Sequence, residues 1–353
     1  MNSLYTRLDA LLRSDAGARG FSANAGAADM NALVKAFAAA KCALIITGFP
    51  VEASDGHICC ETDGPIGAAH IARAFCDAGK RAYIATDELC YPQLAAAVRL
   101  RAPNAELIKL NGDMEELMGL GIDTVISIER PGKALDGHCH TAKGRIIDGW
   151  LGADTDEEFE SLHKHGAKTI AIGDGGNELG TGKLFNVTRR VVDHGEDIAA
   201  AQTADITLAS GVSNWWGWGI AAIASVYLNR NVLPDEHEER AVLRAILDAG
   251  AVDGITKRSE ESIDNIDIDK HIDLLNEVHS MVKNYLDKGY NKSILHKLCR
   301  KEKSWHIILI HPPILSASIC WFRAIPAPNA RPRIPRLKPP SCAIRRARNL
   351  RFQ

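Results

Sequence analysis

Residues 42–86 read CALIITGFPVEASDGHICCETDGPIGAAHIARAFCDAGKRAYIAT. The segment opens on a short apolar run with β-branched residues, CALIIT (42–47), stopped by Gly48 and Pro50, the pattern of a buried strand. IGAAHIARAFCDAG (66–79) then repeats apolar residues at helical spacing and closes on Gly79. RAYIAT (81–86) is strand-like again. Strand, helix and strand in this order predict a crossover connection and parallel pairing.

The same alternation continues outward. YPQLAAAVRLR (91–101) is helix-like, ELIKL (106–110) strand-like, and a short helical piece lies around 113–119. DTVISI (123–128), KTIAI (168–172) and DITLAS (205–210) read as strands. Helices are predicted at 156–165, 183–195, 215–229, 236–249 and 270–287. The expected fold class is α/β: a largely parallel sheet covered by helices on both faces, a Rossmann-like three-layer architecture. We expect one α/β domain over residues 1–294, followed by a basic, Pro-rich tail at 295–353 that is disordered.

Charge separates the same two parts. The chain of 353 residues carries a formal net charge of −2, but residues 295–353 hold 13 Lys/Arg and one Glu, which leaves the body at −14. An acidic body argues against nucleic acid as a partner, except through the tail, and favours a metal or cationic ligand. The nine cysteines form no CxxC and are odd in number, and no secretory signal precedes them, so reduced thiols in the cytoplasm are expected. A mitochondrial matrix location is the alternative for a eukaryotic chain. No apolar run approaches the roughly 20 residues of a membrane span, so no membrane partner is expected.

The glycine-rich stretch AIGDGGNELGTGK (171–183) invites a phosphate reading, which fails letter by letter. Gly182–Lys183 is followed by Leu184 rather than Ser or Thr, and a dinucleotide fingerprint would need Gly where Glu178 stands. Asp174, Asn177 and Glu178 offer oxygen ligands that suit a hard cation. A glycine-rich turn with an exposed Glu is the plainer reading.

Acidic or amide groups follow five of the strands: Glu61 and Asp63, Asp87 and Glu88, Glu129, then Asp174, Asn177 and Glu178, and lastly Ser213–Asn214. In open parallel sheets the ligand crevice lies at the carboxyl ends of the strands. So much negative charge at one rim needs a counter-charge. A divalent cation would supply it; so would Arg130, Lys143, Arg145 and Lys183. His138 and His140 in GHCH are read as loop histidines rather than zinc ligands. Trp215, Trp216 and Trp218 are read as core or pocket lining. Ser213 lacks a nucleophile elbow, and with Asn214 at a helix N-terminus it suits a substrate carboxylate.

TGFPV (47–51), ETDGPIGA (61–68), SIERPGKALDG (127–137), IGDGGNELGTGK (172–183), GVSNWWGWG (211–219) and AGAVDGIT (249–256) together resemble the D-glutamate cyclase family, its metal-binding C-terminal domain in particular. The resemblance runs in order from about residue 5 to 287. It implies a hydro-lyase that interconverts D-glutamate and 5-oxo-D-proline plus water, with an amino-acid substrate and a divalent cation, Mn²⁺ or Mg²⁺. On this chain it implies Glu61, Asp63, Asp174, Asn177 and Glu178 as metal ligands. The catalytic candidates are Glu129, Asp136 and Arg130, with Gly175, Gly176, Ser213, Asn214 and Arg145 binding substrate. One departure is DGHCHTAKGRIID after ERPG, where the family carries an aromatic and an Asn-Met-Arg-Gly run. Two rival readings use the same acidic rim: a metal-dependent hydrolase of a phosphorylated or amide small molecule, and a non-catalytic metal- or amino-acid-binding domain.

Overall fold

The computed structural model describes residues 3–288; the expected basic tail lies outside the described residues. Six strands build the central sheet: β1 (Cys42–Thr47), β2 (Arg81–Thr86), β3 (Glu106–Lys109), β4 (Thr124–Ile128), β5 (Lys168–Gly173) and β6 (Ile206–Ala209). All neighbours pair in parallel, in the order β3-β2-β1-β4-β5-β6. That is the order of a doubly wound Rossmann sheet, whose chain reverses direction between β1 and β4.

Alternation along the strands explains why both faces are covered. Ala43 and Ile45 of β1 join one apolar cluster, while Cys42, Leu44 and Ile46 join the other. All six residues of β1 are buried, which a strand covered on both faces requires. Each fully buried Leu or Ile contributes roughly 1.5–3 kcal/mol. The first face carries the helices Pro65–Asp77, Tyr91–Arg101, Trp215–Leu228, Glu236–Asp248 and Ile268–Asp287, with the N-terminal helices Ser3–Leu12 and Met30–Ala39. The second is covered by Met114–Gly119 and Thr155–Lys164.

The helix Trp215–Leu228 has no polar stripe and is buried along nearly its whole length. It crosses the helix Pro65–Asp77 so closely that a Cβ on Gly217 would lie 2.8 Å from Gly67 Cα. Two glycines at the crossing allow this approach, and it sets the N-termini of the two helices side by side. The three tryptophans lie in this core, as expected. Trp215 Nε1 donates to His271 Nδ1 at 2.9 Å, Trp216 Nε1 to Ala209 O at 3.0 Å and Trp218 Nε1 to Glu239 Oε2 at 3.2 Å.

Elsewhere the structure departs from the sequence reading. The helix expected over 183–195 is a 3-10 turn, Gly182–Leu184, then Phe185–Val191 and a separate turn, Gly195–Ile198. His194 interrupts it with a left-handed backbone, φ 57°. Two antiparallel hairpins add to the parallel sheet, Pro50–Glu52 with Ile58–Cys60 and Ser262–Ile263 with Ile266–Asp267.

Candidate active site

The crevice forms where the winding reverses. Glu129 follows β4, and its carbonyl accepts the N–H of Gly48, just beyond β1, at 3.1 Å. Its backbone sits at φ 43°, a conformation uncommon outside glycine and enriched at functional sites. The side chain is buried, and Ser213 Oγ donates to its Oε2 at 2.6 Å.

Beside it, Asp63 and Asn214 lock the two crossed helices. Asp63 Oδ2 accepts the N–H of Ser213 at 2.9 Å and its Oδ1 that of Asn214 at 2.8 Å. In return Asn214 Oδ1 accepts from Gly64 N at 2.9 Å and Gly67 N at 2.7 Å, while its Nδ2 donates to Thr62 O at 3.0 Å. The anion-binding helix start read around Ser213–Asn214 is therefore filled by the chain's own carboxylate.

The glycine loop solves its puzzle in the same way. Glu178 folds back into it: Oε1 accepts from Asp174 N at 3.0 Å and Gly175 N at 2.6 Å, and Oε2 from Gly176 N at 2.7 Å. This is an anion nest with a built-in anion. A Cβ on Gly173 would collide with Glu178 Oε2, so glycine there makes room for the carboxylate. Gly175 and Gly176 hold Glu178 with the N–H groups that the sequence reading offered to substrate.

Two overlapping groups of carboxylates gather here. One oxygen each from Asp63, Asp174 and Asp264, and one each from Glu129, Asp174 and Glu178, lie within 4.8 Å of one another, with Asp174 common to both groups. Burial is the first cause that raises the pKa values of Asp63, Glu129 and Asp174, and repulsion by neighbouring carboxylates adds to it. Asp63 is pushed up to about 8, by burial and then Asp264, against the N–H groups of Asn214 and Ser213. Glu61, Glu129 and Asp174 are held well above the usual carboxylate range, and Glu178 is raised less because backbone N–H groups oppose its burial. Arg19 provides partial compensation, pairing with Asp174 and, at 3.0 Å, with Asp264. Asp174 Oδ2 and Asp264 Oδ2 are buried without a hydrogen-bond partner. All-oxygen donors, buried together and with orphaned atoms, fit a hard divalent cation.

These residues open on a cavity of about 1040 Å³. Its lining combines acids (Glu61, Glu129, Asp174, Asp264) with cations (Arg19, Lys143, Arg145, Lys257) and the apolar Phe49 and Trp150. Gly175 and Asn177 also line it, and Asn177 Nδ2 donates to His140 O at 2.9 Å. Arg145 stacks 4.7 Å from the Trp150 ring centre and pairs with Glu52.

Arg130 and Asp136 are among the candidates outside that lining. Arg130 is fully buried behind it, 2.5 Å from Asp87 Oδ2 and bonded to Thr155 Oγ1 at 3.2 Å. Asp136 is half-exposed and binds His140 Nε2 at 2.9 Å, while His138 pairs with Asp148. The sequence reading missed Arg19, Lys257 and Asp264. A signal for Asp264 existed in Asp264–Asn265: both residues are left-handed, φ 57° and 59°, as the two-residue turn of a hairpin demands.

A Rossmann-like α/β protein with a buried carboxylate cluster at its switch point is thus defined. Residues 8–279 match the family described as D-glutamate cyclase-like, C-terminal, and the chain belongs to that family. It is also 30% identical over 225 residues to the human protein named D-glutamate cyclase, mitochondrial. That match covers 55% of this chain and 36% of the human protein, so the chain spans about a third of its relative's length. No helix among the described residues is long and apolar enough to cross a membrane.

Proposed function

We propose that the chain is a hydro-lyase that interconverts D-glutamate and 5-oxo-D-proline plus water. The observation that carries this reading is the pairing of an acidic floor with cationic walls in one cavity. A zwitterionic dicarboxylate needs both, one for its ammonium group and the other for its carboxylates. The family and the name of the human relative support the same chemistry.

In the cyclising direction the α-amine attacks the γ-carboxyl carbon of the same molecule. Holding a folded conformer is the first contribution of the site, because well-oriented intramolecular reactions reach effective molarities of about 10⁵–10⁸ M. Lys257, Lys143 and Arg145 bind the substrate carboxylates from the wall. The amine must shed a proton before attack, and Asp174, whose proton affinity burial and then Asp264 and Asp63 raise against the pull of Arg19, accepts it. Burial and then Asp174 and Glu178 raise the proton affinity of Glu129 as well. Ser213 fixes one of its oxygens; Asp174 passes the first amine proton to the departing γ-oxygen and Glu129 relays the second, so that the oxygen leaves as water and both carboxylates regain their starting state. Asp63, Asp174 and Asp264, with Glu129 and Glu178 beside them, would hold a Mn²⁺ or Mg²⁺ ion, which would act as a Lewis acid on the γ-carboxyl group.

Purified protein supplied with either D-glutamate or 5-oxo-D-proline should yield the other compound, followed by chiral chromatography before and after metal stripping. No interconversion from either side with saturating Mn²⁺ would remove the reading. The cavity volume supports a second one, hydrolysis of a larger amide or phosphorylated molecule, since about 1000 Å³ is the upper end for small-ligand sites. Turnover confined to such substrates in the same assay would favour it. We extend the mitochondrial location of the relative to this chain only as an alternative to the cytoplasm.

A further inference from the structure

The loop before residue 20 reaches into the carboxylate floor from the opposite end of the sequence. Asp15 fixes it, accepting the N–H of Arg19 at 3.1 Å through Oδ1 and that of Gly20 at 3.0 Å through Oδ2. Ala18 turns it with a left-handed backbone, φ 52°. Arg19 is thereby aimed at two carboxylates 155 and 245 positions away by number, Asp174 and Asp264.

The pairing is incomplete in a particular way. A guanidinium that meets a carboxylate fork to fork uses both of its oxygens. Arg19 instead spreads one nitrogen to each carboxylate, taking Asp174 Oδ1 and Asp264 Oδ1. Both Oδ2 atoms stay buried and unpartnered, and an oxygen of Asp63 lies within the same 4.8 Å group. A planar fork reaching from one side leaves these atoms unmatched. A small spherical cation among the three carboxylates could draw an oxygen from each. Its two charges and the Arg19 charge would then crowd the same buried space, which like charges resist.

We propose that Arg19 is an internal cation that competes with a divalent ion for Asp63, Asp174 and Asp264, so that ion binding expels its guanidinium toward the cavity. The inference rests on the cation site of the proposed function and goes beyond it by assigning the N-terminal loop a role. Arg19 lines the cavity and its side chain is 23% exposed, so the route to solvent is short.

Calorimetric titration of Mn²⁺ into the metal-stripped full chain and into Arg19→Met tests the competition. The variant should bind Mn²⁺ about tenfold more tightly, within the range typical of coupled sites. Trypsin should also cut wild-type protein after Arg19 faster at saturating Mn²⁺, as read by mass spectrometry. Equal or weaker Mn²⁺ binding by the variant would overturn the competition while the cation site stands. No Mn²⁺ binding by either protein would overturn both. If Arg19→Met does not fold, cleavage of the wild-type chain at Arg19 that ignores Mn²⁺ is sufficient to reject the idea.

Discussion

Asp63 and Asn214 cap each other's helices: the Asp63 carboxylate accepts the N–H of Asn214 at 2.8 Å, and the Asn214 amide oxygen accepts the N–H of Gly64 at 2.9 Å. The exchange is buried, so losing the Asn214 amide strips Gly67 N and Thr62 O of this partner, while Gly64 N keeps Asp63 Oδ1 at 2.9 Å. Asn214→Ala should lower stability by about 2–4 kcal/mol, from these orphaned groups at about 1–3 kcal/mol each. Urea denaturation reads this directly; a change below 1 kcal/mol would mean that water replaces the amide.

Glu178 serves three N–H donors of its own loop. Glu178→Gln turns one oxygen into an NH₂ group that faces a donor, and should cost about 1–3 kcal/mol. The same change should eliminate turnover, because Asp174 and Gly175 lose the anchor that sets their positions. A Gln variant with wild-type kcat would show that the nest is not needed for the chemistry.

Arg130 belongs to a buried pair with Asp87, both essentially inaccessible to water. Arg130→Met leaves a lone buried carboxylate and should destabilise the fold by about 3–5 kcal/mol. Adding Asp87→Asn should restore part of that loss. Because Arg130 does not line the cavity, the double variant should keep its KM for D-glutamate. A large rise in KM at preserved stability would return Arg130 to the substrate.

Glu158 links stability to pH. Burial, with a smaller push from Asp87 and against the pull of Arg130, raises it from 4.5 to about 7, and neither oxygen has a hydrogen-bond partner. The folded protein keeps a Glu158 proton that the unfolded chain releases, so the contribution of Glu158 to stability should fall as pH climbs from about 4.5 to 7 and level off above. At 1.36 kcal/mol per pH unit the loss is on the order of 3.4 kcal/mol. Glu158→Gln should abolish this dependence and be more stable than wild type at pH 8.5. Parallel pH profiles for the two proteins would contradict the assignment.

Divalent metal should stabilise the folded state by binding it alone, by about 2.7 kcal/mol when the free ion is 100-fold above its Kd. Differential scanning fluorimetry should show Mn²⁺ raising the midpoint and a chelator reversing it. Asp264→Asn should lose most of the shift. An unchanged shift in that variant would place the ion away from Asp264.

Much of this could be read along the chain. The six strands of the sheet fall within a residue or two of the runs CALIIT, RAYIAT, ELIKL, DTVISI, KTIAI and DITLAS. Strand-end carboxylates were visible for the same reason, since a parallel sheet aims every such end at one rim. The break at His194 was not visible, because a left-handed residue other than glycine carries no apolar period.

Sequence alone determined the alternation of buried strands and amphipathic helices, and with it the parallel sheet and its acidic rim, because burial and backbone preference are local properties. Only the tertiary structure decided which anion fills which set of N–H groups. Glu178 closes the glycine nest, Asp63 takes the helix start that substrate was expected to use, and Arg130 turns inward to Asp87. It also brought Arg19 and Asp264 to Asp174. Such partnerships join residues far apart in the chain, and their energies exist only once the layers have packed and water has left the space between them.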